Sequence, residues 1–119
     1  MRITDVLIVG AGQSGLAMAY HLRQTALSFH LVDGNSRVGD SWRKRYDSLT
    51  LFTPRSLSQL PGRSLDGEPN GYASRDEFAD YLERYAMYLG LPIELNTRIE
   101  RLERTNGHYC ATRIDGQEI

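Results

Sequence analysis

The residues whose types and spacing most clearly suggest a binding function form a glycine-rich loop near the start of the sequence. This loop is Gly10-Ala11-Gly12-Gln13-Ser14-Gly15 (the glycine loop). In such a loop the first glycine allows a tight turn and the second lets the backbone approach a pyrophosphate. The third lets a helix pack closely on a sheet. A helix that begins here presents free N–H groups and a positive dipole end to phosphates, and Ser14 adds a hydroxyl donor. The spacing therefore predicts a dinucleotide phosphate site.

An acidic residue follows at a distance typical of these loops. Asp33 stands 18 positions after Gly15, at the end of a second apolar segment. Its carboxylate would accept hydrogen bonds from the ribose hydroxyls of an adenosine, and it disfavours a 2′-phosphate, so NADP is not expected here. The residues alone leave three possibilities open, which are FAD, NAD and a glycine-rich turn without a ligand.

A strand–helix–strand unit is needed to hold these residues. The run Asp5–Val9 predicts a strand buried on both faces, and Leu16–Leu22 predicts a mostly apolar helix that continues to about Gln24. Phe29–Asp33 predicts the second strand. Together they indicate a right-handed βαβ crossover over residues 4–33. The fold class is therefore α/β, with a Rossmann-like parallel sheet.

The rest of the chain predicts a loop, a helix and a small β-meander. Residues 34–73 show no sustained period, and we expect a long loop that wraps a ligand. A capping box that starts at Ser74 and a helical apolar period predict a helix over 75–89. Strands are expected over 93–119, with a hairpin turn at Asn106-Gly107.

A second predicted hairpin turn, Asp115-Gly116, is followed by only three residues. A hairpin needs a full partner strand, so we expect the chain to be the N-terminal part of a longer protein, with a C-terminally incomplete domain. Such a sheet would expose an unpaired edge, which predicts self-association or poor solubility.

Composition excludes several classes of function. An apolar fraction of 40%, a charged fraction of 24% and a net charge of −1 are typical of a globular domain. The basic residues form no stripe for nucleic acid, and no run approaches the roughly 18 apolar residues that span a bilayer. The single cysteine, Cys110, excludes an internal disulfide, a CxxC pair and a zinc cage within this chain. We expect a cytoplasmic, reducing environment and no bound metal.

Other polar residues are expected to be structural. A basic group could neutralise phosphates, although a solvated loop face is favoured for Arg37, Arg43, Lys44 and Arg45. Acidic residues in the first turns of the predicted helix should face its dipole and solvent, namely Asp76, Glu77, Asp80 and Glu83. Residues assigned to packing rather than chemistry are His21, His30, Tyr81, Tyr85 and Tyr88.

Four blocks of sequence carry a family resemblance. They are DVLIVGAGQSG (5–15), VGDSWR (38–43), RYDSLTLFTP (45–54) with the later Leu60-Pro61, and YASRDEFADYLERY (72–85). In this order they resemble the N-terminal part of class B flavin-containing monooxygenases, in particular the plant YUCCA-type and bacterial branch. The resemblance favours FAD over NAD.

The resemblance implies an oxidoreductase that uses NADPH and inserts one oxygen atom from O2 into a small organic substrate. It implies that the glycine loop lines the pyrophosphate of FAD and that Asp33 binds the ribose. Ser41 and Trp42 would lie along the flavin-bearing half; a core position is the less favoured alternative for Trp42. Thr53 would approach the isoalloxazine, and Ile99 would contact adenine through its backbone.

Departures from the family pattern are few. Asp33 stands where Glu is commoner, Asp40 replaces a glycine, Phe52-Thr53 replaces the Asn-Ser/Thr pair of animal relatives, and Ala73 replaces a proline. A second GxGxxG loop for NADPH is absent from these 119 residues, so we do not expect the full reaction on this chain alone. Two alternatives stay open, which are a reductase-type FAD/NAD(P)H oxidoreductase and a truncated, non-catalytic nucleotide-binding protein.

Overall fold

A computed structural model of the chain describes residues 3–91 and 93–116. Strands β1 (Val6–Val9), β2 (Phe29–Val32) and β3 (Ile93–Glu94) form a parallel sheet in that order. Helix α1 (Gln13–Leu22) joins β1 to β2, and it ends two residues before the predicted position. The predicted α/β class and βαβ crossover are confirmed.

Strand β1 is less enclosed than the sequence indicated. Ile8 is buried in the core, but its neighbour Val9 is 60% exposed. Successive residues of a strand point to opposite faces of the sheet. The face on which Val9 lies is therefore left uncovered by the described residues at the end of β1. Within the described part of the chain, β1 pairs only with β2. The prediction of a strand buried on both faces is therefore wrong at this end.

The predicted long loop contains two short helices, α2 (Asp40–Arg43) and α3 (Arg55–Ser58). It lies close to the helix that follows it. A side chain at Gly39, where φ is 93°, would place its Cβ 2.6 Å from the Ala79 carbonyl oxygen. Segment 34–73 is therefore a packed layer with two local helical turns that the sequence did not indicate, and its role in wrapping a ligand stays a prediction.

Helix α4 (Arg75–Leu89) has the predicted bounds. The Ser74 hydroxyl accepts a hydrogen bond from the Glu77 N–H at 3.1 Å, which caps its first turn. Gly90, in the left-handed region with φ 65°, ends it. Its buried face joins α1 and the sheet in one core, through Phe78, Tyr81, Leu82, Tyr85 and Leu89.

A two-stranded antiparallel hairpin completes the described structure. Strands β4 (Ile99–Thr105) and β5 (His108–Arg113) are joined by Asn106-Gly107, whose positive φ angles of 52° and 81° suit a tight two-residue turn. The predicted hairpin is confirmed. The return strand expected after Asp115-Gly116 lies outside the described residues. Among those described, no helix has the length and apolarity needed to cross a membrane.

Candidate functional site

The glycine loop connects the end of β1 to the start of α1. Gly10 adopts a φ of 107°, and its N–H donates to the Val32 carbonyl oxygen at 2.8 Å. A Cβ on Gly15 would lie 1.9 Å from the Gly10 carbonyl oxygen. A side chain at Gly15 is therefore excluded, because the first turn of the helix packs directly on the loop. The turning role of Gly10 and the packing role of Gly15 have a clear physical basis.

The second glycine faces a different environment. A Cβ built on Gly12 meets no atom within 4 Å, so its side of the loop is open. In the described residues, the N-terminus of α1 has no side-chain cap and no acidic residue in its first turn. Backbone N–H groups at a helix start need an acceptor, and a phosphate is a suitable one. The loop therefore fits a pyrophosphate.

Asp33 lies beside this loop and is held by it. One carboxylate oxygen accepts a hydrogen bond from the Ala11 N–H at 2.7 Å, and the other accepts one from the Asn35 N–H at 2.7 Å. Each carboxylate oxygen can accept a second bond, so ribose hydroxyls can still be recognised. The sequence did not reveal the bond to Ala11, because it links residues 22 positions apart. The ribose role of Asp33 stays a prediction.

A cleft of about 410 Å³ extends from the glycine loop along segment 34–73. Gln13, from the loop, and Trp42, from α2, both line it, together with Thr53. Trp42 also makes an edge-to-face contact with the core residue Phe78, with ring centroids 5.1 Å apart. The guanidinium of Arg45 lies 4.2 Å from the Trp42 ring centroid. Trp42 is therefore both a packing residue and a cleft residue.

Of the other residues implied by the resemblance, Thr53 lies at this cleft, whereas Ser41 does not. The Thr53 and Ser58 hydroxyls are 2.6 Å apart, which fixes the side chain of Thr53 at the cleft. Ser41 is exposed on α2 and is not part of the cleft lining. Ile99 begins β4, two residues after Thr97, whose N–H donates to the Asp33 carbonyl oxygen at 2.8 Å. The cofactor roles of these residues stay predictions.

Ion pairs fasten segment 34–73 to α4. Arg37 binds both carboxylate oxygens of Glu83, at 2.7 and 2.8 Å, and Arg43 reaches Asp80 at 3.0 Å. The predicted solvent exposure is confirmed for Arg37 and Asp80, which are 55% and 53% exposed, but Arg43 is only 17% exposed. The sequence did not indicate the ion pairs themselves. The hydrogen bond from Arg37 lowers the pKa of the Glu83 carboxyl group. The basic residues of segment 34–73 and the acidic residues of α4 were the only indication in the sequence that the two segments pair.

Arg55 makes the corresponding contact from α3. Its guanidinium donates to both carboxylate oxygens of Glu77, at 2.7 and 2.9 Å. The hydrogen bond from Arg55 lowers the pKa of Glu77, against the opposing effect of burial. Sequence reasoning did not select Arg55. The pair places α3, and with it one wall of the cleft, at a fixed position on α4.

The histidine and tyrosine side chains that the sequence assigned to packing make structural contacts. His30 lies 3.2 Å from Glu94 on the neighbouring strand, and Tyr81 and Tyr85 are buried as predicted. Tyr88 is 56% exposed, so its assignment to the core is wrong; its ring lies beneath Arg63, 4.4 Å from the guanidinium carbon. No cluster of three metal-binding side chains occurs among the residues that the structure describes.

The βαβ crossover, the open glycine loop and the adjoining cleft define an α/β protein with a Rossmann-like parallel sheet. A family model described as pyridine nucleotide-disulphide oxidoreductase matches residues 7–116. The chain belongs to this oxidoreductase family and, within it, corresponds to the N-terminal portion of the flavin monooxygenase group.

Individual relatives show how much of a longer protein is present. An uncharacterized CzcO-like oxidoreductase of Geobacillus kaustophilus is 50% identical over 95% of this chain and 35% of its own length. YUCCA9 of Arabidopsis thaliana, a probable indole-3-pyruvate monooxygenase, is 36% identical over 98% of this chain and 29% of its own. A flavin-containing monooxygenase from Stenotrophomonas maltophilia superposes with a TM-score of 0.91 at 31% identity, over 99% of this chain and 36% of that one. The chain thus spans about one third of the length of these relatives.

Proposed function

We propose that this chain forms the FAD-binding part of an NADPH-dependent flavoprotein monooxygenase that inserts one oxygen atom from O2 into a small organic substrate. The observation that carries the proposal is the continuity of the glycine loop with the cleft. Gln13 belongs to both, so a ligand with its pyrophosphate on the loop could extend directly toward Trp42. The similarity to flavin monooxygenases supports FAD as that ligand.

The described residues divide the binding task between the two halves of FAD. The first-turn N–H groups of α1 would hold the pyrophosphate, and the Asp33 carboxylate would hold the ribose of the adenosine half. The ring of Trp42 and the wall that contains Thr53 would flank the flavin half and exclude water from it. When bound, FAD supplies the redox and oxygen-transfer chemistry.

A reductase-type function is the second candidate, because the matching family model is described by disulphide oxidoreductases. A disulfide reductase needs two cysteines that can exchange with its substrate. The sequence contains one, Cys110, in the hairpin strand β5. Because the chain spans about one third of its relatives' length, the cysteine count does not separate the two candidates. The monooxygenase proposal is favoured by the similarity to flavin monooxygenases, and neither candidate is assigned an NADPH or substrate site.

The proposal is tested by adding FAD to the purified chain. We expect the protein fraction from gel filtration to carry visible flavin absorbance. Trp42 is the only tryptophan in the sequence, so the tryptophan fluorescence should fall to a plateau as FAD fills the cleft. A colourless protein fraction with unchanged emission would refute the FAD site.

FMN serves as the matched control ligand because it contains the flavin but lacks the adenosine half. We expect FMN to bind at least about a hundredfold more weakly, since it cannot use the second phosphate and ribose contacts at the loop. Equal binding of FMN and FAD would contradict the role given to the glycine loop and Asp33.

A further inference from the structure

Residues 60–63 form a turn (the 60–63 turn) that is bonded to the hydroxyl of Tyr81 on α4. The Leu60 N–H donates to this hydroxyl oxygen at 2.7 Å, and the hydroxyl donates in turn to the Arg63 carbonyl oxygen at 2.7 Å. One side-chain group therefore satisfies a donor and an acceptor of the turn. Because the turn belongs to no helix or sheet, these backbone groups depend on such side-chain partners.

A second tyrosine holds the middle of the same turn. The hydroxyl of Tyr85, one helical turn beyond Tyr81, donates to the Pro61 carbonyl oxygen. The two side chains are only 3% and 0% exposed. Burial raises the pKa of Tyr85 to about 12, so this hydroxyl stays protonated and able to donate. Both contacts lie about 20 residues away in sequence from the backbone they hold.

The turn is next to the cleft proposed for FAD. Leu60 and the preceding Gln59 line that cleft together with Gln13 of the glycine loop. The Gln59 side-chain oxygen also accepts a hydrogen bond from the Leu65 N–H at 3.3 Å, which ties the two ends of this segment together. A row of aromatic rings, Trp42, Phe78, Tyr81 and Tyr85, connects the cleft to the hydroxyls, with successive centroids 5.1, 6.0 and 6.0 Å apart.

We propose that Tyr81 and Tyr85 are positioning residues, whose hydroxyls hold the 60–63 turn and Gln59 as the wall of the flavin half of the cleft. This inference rests on the proposed function. It predicts a separation of effects, because the proposed function assigns the contacts for the adenosine half to the glycine loop and Asp33. The tyrosines should therefore set affinity for FAD without setting affinity for ADP.

The first experiment uses Tyr81→Phe and Tyr85→Phe, which keep the rings and remove only the hydroxyls. Tyr88→Phe is the matched control, because its ring contacts Arg63 of the same turn while its hydroxyl makes no hydrogen bond in the described part of the chain. Amide hydrogen exchange is measured without ligand. In Tyr81→Phe we expect the Leu60 N–H to exchange at least about tenfold faster, while amides of α4 keep their protection.

The second experiment measures FAD and ADP affinity for the same variants. If the turn is in place for only about one tenth of the time in Tyr81→Phe, FAD binding weakens about tenfold. ADP binding should stay within about twofold of the parent, as should both affinities in Tyr88→Phe. A merely structural role would lower FAD and ADP affinity together, along with the melting temperature, and that result would overturn the inference.

The two experiments separate failure of the inference from failure of the proposed function. Unchanged exchange at Leu60 in Tyr81→Phe would overturn the positioning role whatever the ligand. Faster exchange at Leu60 with equal FAD affinity in parent and variant would also overturn it. If the parent chain bound neither FAD nor ADP, the proposed function would fail, and the inference would fail with it because it names a wall for that ligand.

Discussion

Substitution of Gly15 by alanine provides a sharp test of how the glycine loop is built. An added Cβ would stand 1.9 Å from the Gly10 carbonyl oxygen and 3.3 Å from a methyl group of Ile8. Carbon and oxygen atoms do not approach to less than about 3 Å, so the loop would have to retreat by about 1 Å. That movement pulls on the 2.8 Å hydrogen bond from the Gly10 N–H to Val32. The fold, and not only the binding site, should therefore be affected.

The expected magnitude combines three contributions. Overpacking costs about 2 kcal/mol, and weakening of the Gly10 hydrogen bond costs about 1 kcal/mol. Replacement of a glycine by alanine in a helix returns about 1 kcal/mol. The net loss is about 2 kcal/mol, which for a domain of this size lowers the melting temperature by about 8 °C. Affinity for FAD should fall as well, because the displaced loop no longer presents its N–H groups correctly.

Gly12→Ala is the matched control, with the same added methyl group three residues earlier. Its Cβ meets no atom within 4 Å, and its φ of −83° suits any residue. We expect stability within about 0.5 kcal/mol of the parent but at least about tenfold weaker FAD binding, because the methyl group occupies the open side of the loop. Thermal unfolding and FAD titration of both variants measure these effects. Equal stability of Gly15→Ala and the parent, or equal losses in both variants, would refute the reasoning.

Three further predictions follow from the same structure. Asp33→Ala leaves the Ala11 and Asn35 N–H groups without their 2.7 Å acceptors, so we expect a loss of about 2 kcal/mol in stability and weaker ADP binding. The effects of Asp33→Asn should be intermediate. Unchanged FAD and ADP affinities would show that the ribose role is wrong. The pKa of Glu77 is lowered in the folded chain, so its pair contributes stability above the unfolded pKa of about 4.3 and loses it as the pH falls through the lower folded value. The melting temperature of Glu77→Gln should therefore fall less steeply below about pH 4.5 than that of the parent. If the two melting temperatures fell in parallel at acidic pH, this would contradict the pairing of Glu77 with Arg55. Within the described residues β1 has a partner strand on one side only, so its free edge should cause concentration-dependent association in sedimentation experiments. A monomer at all concentrations would count against this prediction.

Local patterns in the sequence were sufficient for the elements that depend on residues close together. The turn at Gly10 and the start of α1 follow from glycine conformational freedom and helix dipole chemistry. The capping residue Ser74 and the terminal Gly90 define α4, because a helix end needs a partner for its unpaired backbone groups. Asn106-Gly107 defines the hairpin in the same way, through positive φ angles at both positions.

The candidate site itself was only partly accessible to such reasoning. The glycine loop and Asp33 were found from spacing, and the structure places them side by side. The family resemblance selected Trp42 and Thr53, and both line the cleft. The supporting contacts were missed, since nothing in the spacing of Arg55 and Glu77 indicates that they meet.

A glycine loop at the start of a βαβ crossover could be predicted from the sequence, because turns, caps and helical faces depend on neighbouring residues. How the layer over α4 is held follows from three-dimensional packing alone. The partners of Arg37 and Tyr81 lie about 20 to 46 residues away, and many pairings of similar charge and polarity were possible. Packing also decided that Val9 stays exposed, since burial depends on which elements meet and not on the apolar character of a residue.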